Sequence, residues 1–133
     1  MRRLLFGPLA LVALLLVIGC GAEASASPTI TIHYSRFAPA EITISAGVPM
    51  TITIRNEDPI EHEWIVGTEA VHERHRSGSE PYHDEVPTEV TLPAFSSRET
   101  TVSFEAPGDY AFVCHLPGHE AYGMRGVLHV VER

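Results

Sequence analysis

The sequence contains no lysine and only two cysteines, Cys20 and Cys114. Its nine cationic side chains are all arginines, set against seventeen acids, for a formal net charge of −8. That shortage of cations excludes nucleic acid as a partner, because such binding rests on Lys and Arg contacts to phosphate. No internal repeat and no convincing amphipathic helix is visible. Nor is there an apolar run of the roughly 20 residues that a membrane-spanning helix requires. At 133 residues the chain has room for one domain with a real core and too little for two.

The apolar stretch that does occur is Leu4–Ile18, behind the basic start Met1-Arg2-Arg3 and ahead of Gly19-Cys20. Charged, apolar, then small is the order of a secretory leader, so residues 1–19 are expected to be removed on export. Val17-Ile18-Gly19-Cys20 resembles the lipobox of bacterial lipoproteins. The resemblance implies lipidation of Cys20 and an anchor on the outer side of a bacterial membrane, in the periplasm or at the cell surface. Simple cleavage near Ala24 or Ala26 is the alternative. Residues 20–28 are small, polar and unpatterned, which reads as a tether. The eight residues from Gly21 to Pro28 reach at most about 28 Å when extended. Losing Arg2 and Arg3 makes the mature chain still more acidic, which suits steering toward a basic partner.

From Thr29 the text is β throughout. Thr29–Tyr34, Glu41–Ile44 and Met50–Ile54 alternate between apolar and polar residues, and Pro39, Ala46-Gly47, Asn56 and Asp58-Pro59 mark turns. Further strands are expected at His62–Val66, Thr88–Leu92, Thr100–Phe104, Tyr110–Cys114 and Val127–Val131. About eight short strands without a helical pattern predict an all-β sandwich over residues 29–133. Residues 68–87 break the rhythm: polar, rich in His, Glu and Arg, with one helical turn expected near Ala70–His75.

With Cys20 assigned to lipid, Cys114 cannot form the disulfide expected of an exported pair, and a lone thiol there calls for an occupant. The segment around it supplies one. A strand delivers Cys114 to a loop that carries His119 and Met124, spaced Cys-x₄-His-x₄-Met, with Pro117-Gly118 and Gly123 to permit tight bends. A thiolate, an imidazole and a thioether, completed by a second imidazole, form the donor set of a copper ion cycling between Cu(I) and Cu(II). Of the remaining histidines, His62 is the best candidate, because it follows a turn and opens a strand. His115, next to Cys114, points to the other face and is read as non-ligating, and His33 and His129 lie in strands as surface residues. Trp64 is read as core.

Phe37-Ala38-Pro39, Ala46-Gly47, Asn56 followed by His62, and the Cys114, His119, Met124 loop together resemble the cupredoxin family. The loop spacing is similar to that of rusticyanin-like bacterial carriers. The resemblance implies a Greek-key β-sandwich, a single type 1 copper held by His62, Cys114, His119 and Met124, and one-electron transfer without substrate chemistry. The implied partners are redox proteins such as cytochromes or a terminal oxidase, met by a monomer. Two features depart from the family: Glu63 directly follows the first histidine, where Asn or Ser is common, and the 68–87 segment is inserted. Asn56 and Glu63 are expected beside the metal, with Glu63 favouring Cu(II) if ionised.

Other readings are weaker. Zinc gains little from Met124, and a dinuclear copper centre needs a second loop cysteine. A Cys–His nucleophile lacks an orienting group. His72, His75 and His83 are candidates for a second metal site, although their spacing matches no rigid template. Rival functions are copper delivery to a partner oxidase, and an oxidase or nitrite reductase domain, whose second copper only the His-rich segment would supply.

Overall fold

The computed structural model describes residues 27–78 and 86–133. Residues 1–26, with the expected leader, Cys20 and most of the tether, and residues 79–85, with His83, lie outside the described part. Among the described residues no helix is long and apolar enough to cross a membrane.

The strands are β1 (Thr29–Ile32), β2 (Phe37–Ala38), β3 (Glu41–Ser45), β4 (Met50–Asn56), β5 (His62–Gly67), β6 (Glu89–Leu92), β7 (Ser97–Val102), β8 (Gly108–Val113) and β9 (Arg125–Val131), with one helix, α1 (Glu69–Arg76), after β5. They form two mixed sheets, in the orders β2-β1-β4-β7 and β3-β9-β8-β5-β6. The expected all-β sandwich is what forms. It differs in detail: β2 is a two-residue strand with no alternation to betray it, β1 ends at Ile32 and leaves His33 in the following turn, β8 and β9 each begin two residues early, and β7 begins three residues before its expected start at Thr100.

The period of two sets the core. Ile30, Ile32, Ile52 and Ile54 from one sheet face Trp64, Val66, Phe112, Leu128 and Val130 from the other, all buried. Each large apolar side chain so buried contributes about 1.5–3 kcal/mol. Phe37 meets Phe112 edge-on across the sheets, with ring centroids 5.2 Å apart.

The second sheet is buried on both faces where α1 lies. Ile65 and Val113 are fully buried yet do not belong to the main core cluster. They alternate with Trp64, Val66 and Phe112 and so point outward, beneath the helix. Val71 of α1 closes over Gly67, where any Cβ would sit within 3.0 Å of the Val71 side chain. Glu69 in the first turn and Arg74, His75 and Arg76 in the last suit the helix dipole. Segment 68–87 thus begins as a full helix, longer than the single turn expected, because tertiary packing of Val71, His72 and His75 adds to a weak local pattern.

Gly126 is the closest approach. A Cβ there would overlap the Phe112 ring and the Ala40 carbonyl. Gly126→Ala is therefore expected to destabilise the fold by about 2 kcal/mol, as overpacking does. Guanidinium unfolding checks this, and an unchanged midpoint would contradict the packing described.

Candidate metal centre

Four loops meet at one end of the sandwich, and Asp58 fastens three of them. Its buried carboxylate accepts N–H bonds from Tyr34 and Ser35, both at 2.7 Å. Its own N–H donates to Asn56 Oδ1 at 2.9 Å, and its carbonyl accepts from the Phe95 N–H at 3.1 Å. Asn56 Nδ2 reaches the carbonyls of Ile60, Leu92 and Pro93 at 2.8–3.1 Å. Asn56 therefore shapes the turn that presents His62 at the start of β5, at the place the sequence led us to expect.

The fourth loop follows β8. Cys114 continues the inward-facing alternation of Phe112, and its N–H donates to the Met124 carbonyl at 3.2 Å. Turns at His119, Tyr122 and Gly123 fold the loop back, and Met124 N–H donates to the His119 carbonyl at 3.0 Å. The bends expected at Gly118 and Gly123 occur there, both at φ 86. The Arg36 guanidinium donates to the Tyr122 carbonyl and pins the loop to the β1–β2 turn.

These loops bring His62, Cys114 and His119 together, with one donor atom of each inside 4.8 Å of the others. His62 Nδ1 lies 3.2 Å from His119 Nδ1, which lies 3.2 Å from Cys114 Sγ. Met124 is fully buried in the adjoining core. His62 Nε2 sits 2.9 Å from Asp58 Oδ2, so that nitrogen carries the proton and Nδ1 keeps its lone pair toward the cluster. This carboxylate–histidine pairing orients imidazoles that ligate metals.

The electrostatics agree. Burial pushes the Cys114 thiol up to about 11, the Glu63 and Glu61 carboxylates add to that, and N–H bonds from Glu63 and Leu116 oppose it. The Glu63 N–H donates to Sγ at 3.3 Å. Burial and His119 lower the pKa of His62 against the pull of Asp58, so the ring stays neutral and ligand-competent. Burial raises the Asp58 pKa, but the N–H bonds from Ser35 and Tyr34, with His62, outweigh it and keep the carboxyl below its ordinary value. Two imidazoles, one thiol and a nearby thioether, converging at the end of the core, fit a copper ion.

Residues 8–130 match the family of cupredoxin-like domains. The chain is a cupredoxin. It is 34% identical over 113 residues to the copper-resistant cuproprotein CopI of Rubrivivax gelatinosus, covering 80% of this chain and 68% of that one. Among solved structures, reduced auracyanin from Roseiflexus castenholzii superposes with a TM-score of 0.68 at 25% identity, covering 81% of this chain and 98% of that one. Reduced rusticyanin shares the fold, with a TM-score of 0.55 at 19% identity over 77% of each chain. Like its relatives this cupredoxin binds copper, and its His–Cys–His group fits one type 1 ion.

Elsewhere the cupredoxin sorts its histidines by face. His129 bonds Asp109 at 2.7 Å, and that carboxylate raises its pKa. His33 is exposed near Glu57. Trp64 is fully buried. His115 points away from the thiolate cluster and meets His72 and His75 of α1, with His72 Nδ1 to His115 Nε2 at 2.9 Å. Sequence reasoning missed Asp58, whose only signal was a carboxylate four residues before His62, and the grouping of His115 with α1. Asp58→Asn is expected to weaken copper binding about tenfold, since the His62 partner loses its charge. Competition with a chelator measures this, and unchanged affinity would confine Asp58 to a role in loop shape.

Proposed function

We propose that this cupredoxin carries single electrons between redox proteins outside the cytoplasm, with copper held by His62, Cys114, His119 and Met124, and that it is not an enzyme. The observation that carries this reading is the asymmetry of the donors. His62, Cys114 and Met124 are completely shielded from solvent, while His119 alone is partly exposed. Bound copper supplies the Cu(I)/Cu(II) couple. The protein supplies a frame that the loops fix before the metal arrives, two imidazoles, one thiolate and a closed route for everything except an electron.

Copper delivery to a partner oxidase is the second reading, and the burial speaks against it. A site that hands over its ion needs donors that a partner can reach, and here only His119 offers an edge. The rim suits brief docking. Ile60, Tyr34, Phe95 and Tyr122 are exposed in the loops around the site, and Leu116 packs half-buried beside His119. A monomer held by lipid at Cys20 would meet a cytochrome or a terminal oxidase there, with the acidic remainder steering a basic partner.

Copper-loaded oxidised protein is expected to show an intense visible band from Cys114 thiolate to Cu(II). Cys114→Ser should abolish it, while Met124→Leu should keep the colour and raise the potential by deleting an axial donor. Colourless copper-loaded wild type would overturn the assignment.

Transient redox interfaces are small, so one charge at the centre matters. Leu116→Glu is expected to slow electron exchange at least tenfold in stopped-flow measurements with the copper spectrum unchanged. Untouched rates, with charge reversals in residues 68–87 cutting them instead, would move the exit to the insertion.

A further inference from the structure

The strand that delivers Cys114 inward delivers His115 outward, and α1 lies over that outer face. Two α1 histidines converge on His115 there. The His72 side chain is buried, and those of His75 and His115 are 2% and 5% exposed. We propose that His72, His75 and His115 form a second metal site, back to back with the thiolate cluster, for an imidazole-preferring transition-metal ion of the copper or zinc class.

Proton placement is the first argument. His72 Nε2 lies 3.1 Å from the Ala111 carbonyl and must donate to it, which leaves the Nδ1 lone pair aimed at His115 Nε2, 2.9 Å away. His75 Nδ1 lies 2.9 Å from the Val71 carbonyl and donates likewise. Its Nε2 lies 3.6 Å from Glu89 Oε2, and its ring stacks on His115 with centroids 5.3 Å apart. Both α1 rings thus have one N–H fixed by a main-chain carbonyl, and in His72 the opposite nitrogen is turned onto His115. Ligating histidines are oriented in that way, as His62 is by Asp58.

The surroundings are the second argument. Glu120 Oε2 is 3.6 Å from His115 Nδ1. Arg76, the nearest guanidinium, is taken up by Glu120 at 2.8 and 3.0 Å and by Glu69 at 2.5 Å. Its charge is therefore met by Glu120, Glu69 and, at 3.5 Å, Glu73, and Glu89, only 8% exposed, lies beside His75. Imidazoles beside a carboxylate favour copper or zinc over calcium or magnesium, which take oxygen ligands. His72 and His115 already stand at the spacing of two ligands of one ion. Bringing in His75 requires its ring to turn from Glu89. The histidine group expected in this segment thus recruits His115, a residue that the spacing did not suggest.

Copper titration of the full-length wild type tests this. The first equivalent of Cu(II) should produce the thiolate band, and a second should bind without adding to it. His72→Gln and His75→Gln should each lose the second equivalent, by at least tenfold in affinity, while the thiolate band stays as proof of folding. Wild type offers a check that needs no variant. Zn(II) added to the Cu(I)-loaded protein should shift the imidazole ¹⁵N resonances of His72 and His115. Binding that stops at one equivalent, a second equivalent kept by both variants, or unmoved His72 and His115 resonances would each overturn the site.

Discussion

Everything at the working end depends on the register of β8. Its pairing sets Ala111 opposite Gly67 of β5 and Val127 of β9. That register turns Phe112 and Cys114 toward the core and leaves Val113 and His115 beneath α1. A slip of one residue would exchange the two faces, expose the thiol and bury a histidine in the sandwich. Phe112, wedged between Phe37, Trp64 and the bare face of Gly126, makes such a slip sterically impossible without rebuilding the core. Core packing at Phe112, two residues before the thiol, thereby decides which side chain faces the cluster.

The second constraint is the price of the loops around Asp58. Tyr34, Ser35 and Phe95 all hold positive φ between 50 and 54, costing about 1–3 kcal/mol each. Asp58 offsets this strain. Hydrogen bonds to a charged group contribute about 1.5–3 kcal/mol each, and its carboxylate takes two from the strained N–H groups while its carbonyl takes the Phe95 N–H. The same carboxylate then orients His62. Loop shape and ligand orientation hang on one side chain, so the frame is set before the metal arrives.

Much of this was legible in the sequence for physical reasons. Strict alternation marked β1, β3 and β4, and the thiol, imidazole and thioether of residues 114–124 marked the loop, because few chemistries want those donors together. His62 was legible from the turn before it. The two-residue β2 carries no period. The start of β7, Ser97-Arg98-Glu99, is exposed and polar, so only its pairing with β4 reveals it. Asp58 looked like a turn residue and is one, but its contact with His62 exists only once the turn has formed. His115 was rightly set apart from the thiolate cluster by alternation, while its true neighbours come from a helix about forty residues upstream.

The central claim is that copper binds the inward face of this strand end, on the Cys114 thiolate. Copper X-ray absorption on protein loaded with one equivalent tests that most directly. The structure predicts one short Cu–S bond and two Cu–N bonds from imidazole, with the short sulfur contact absent in Cys114→Ser. A first shell of nitrogen and oxygen alone in the wild type would contradict it, and would place the ion on the outer, histidine-lined face instead.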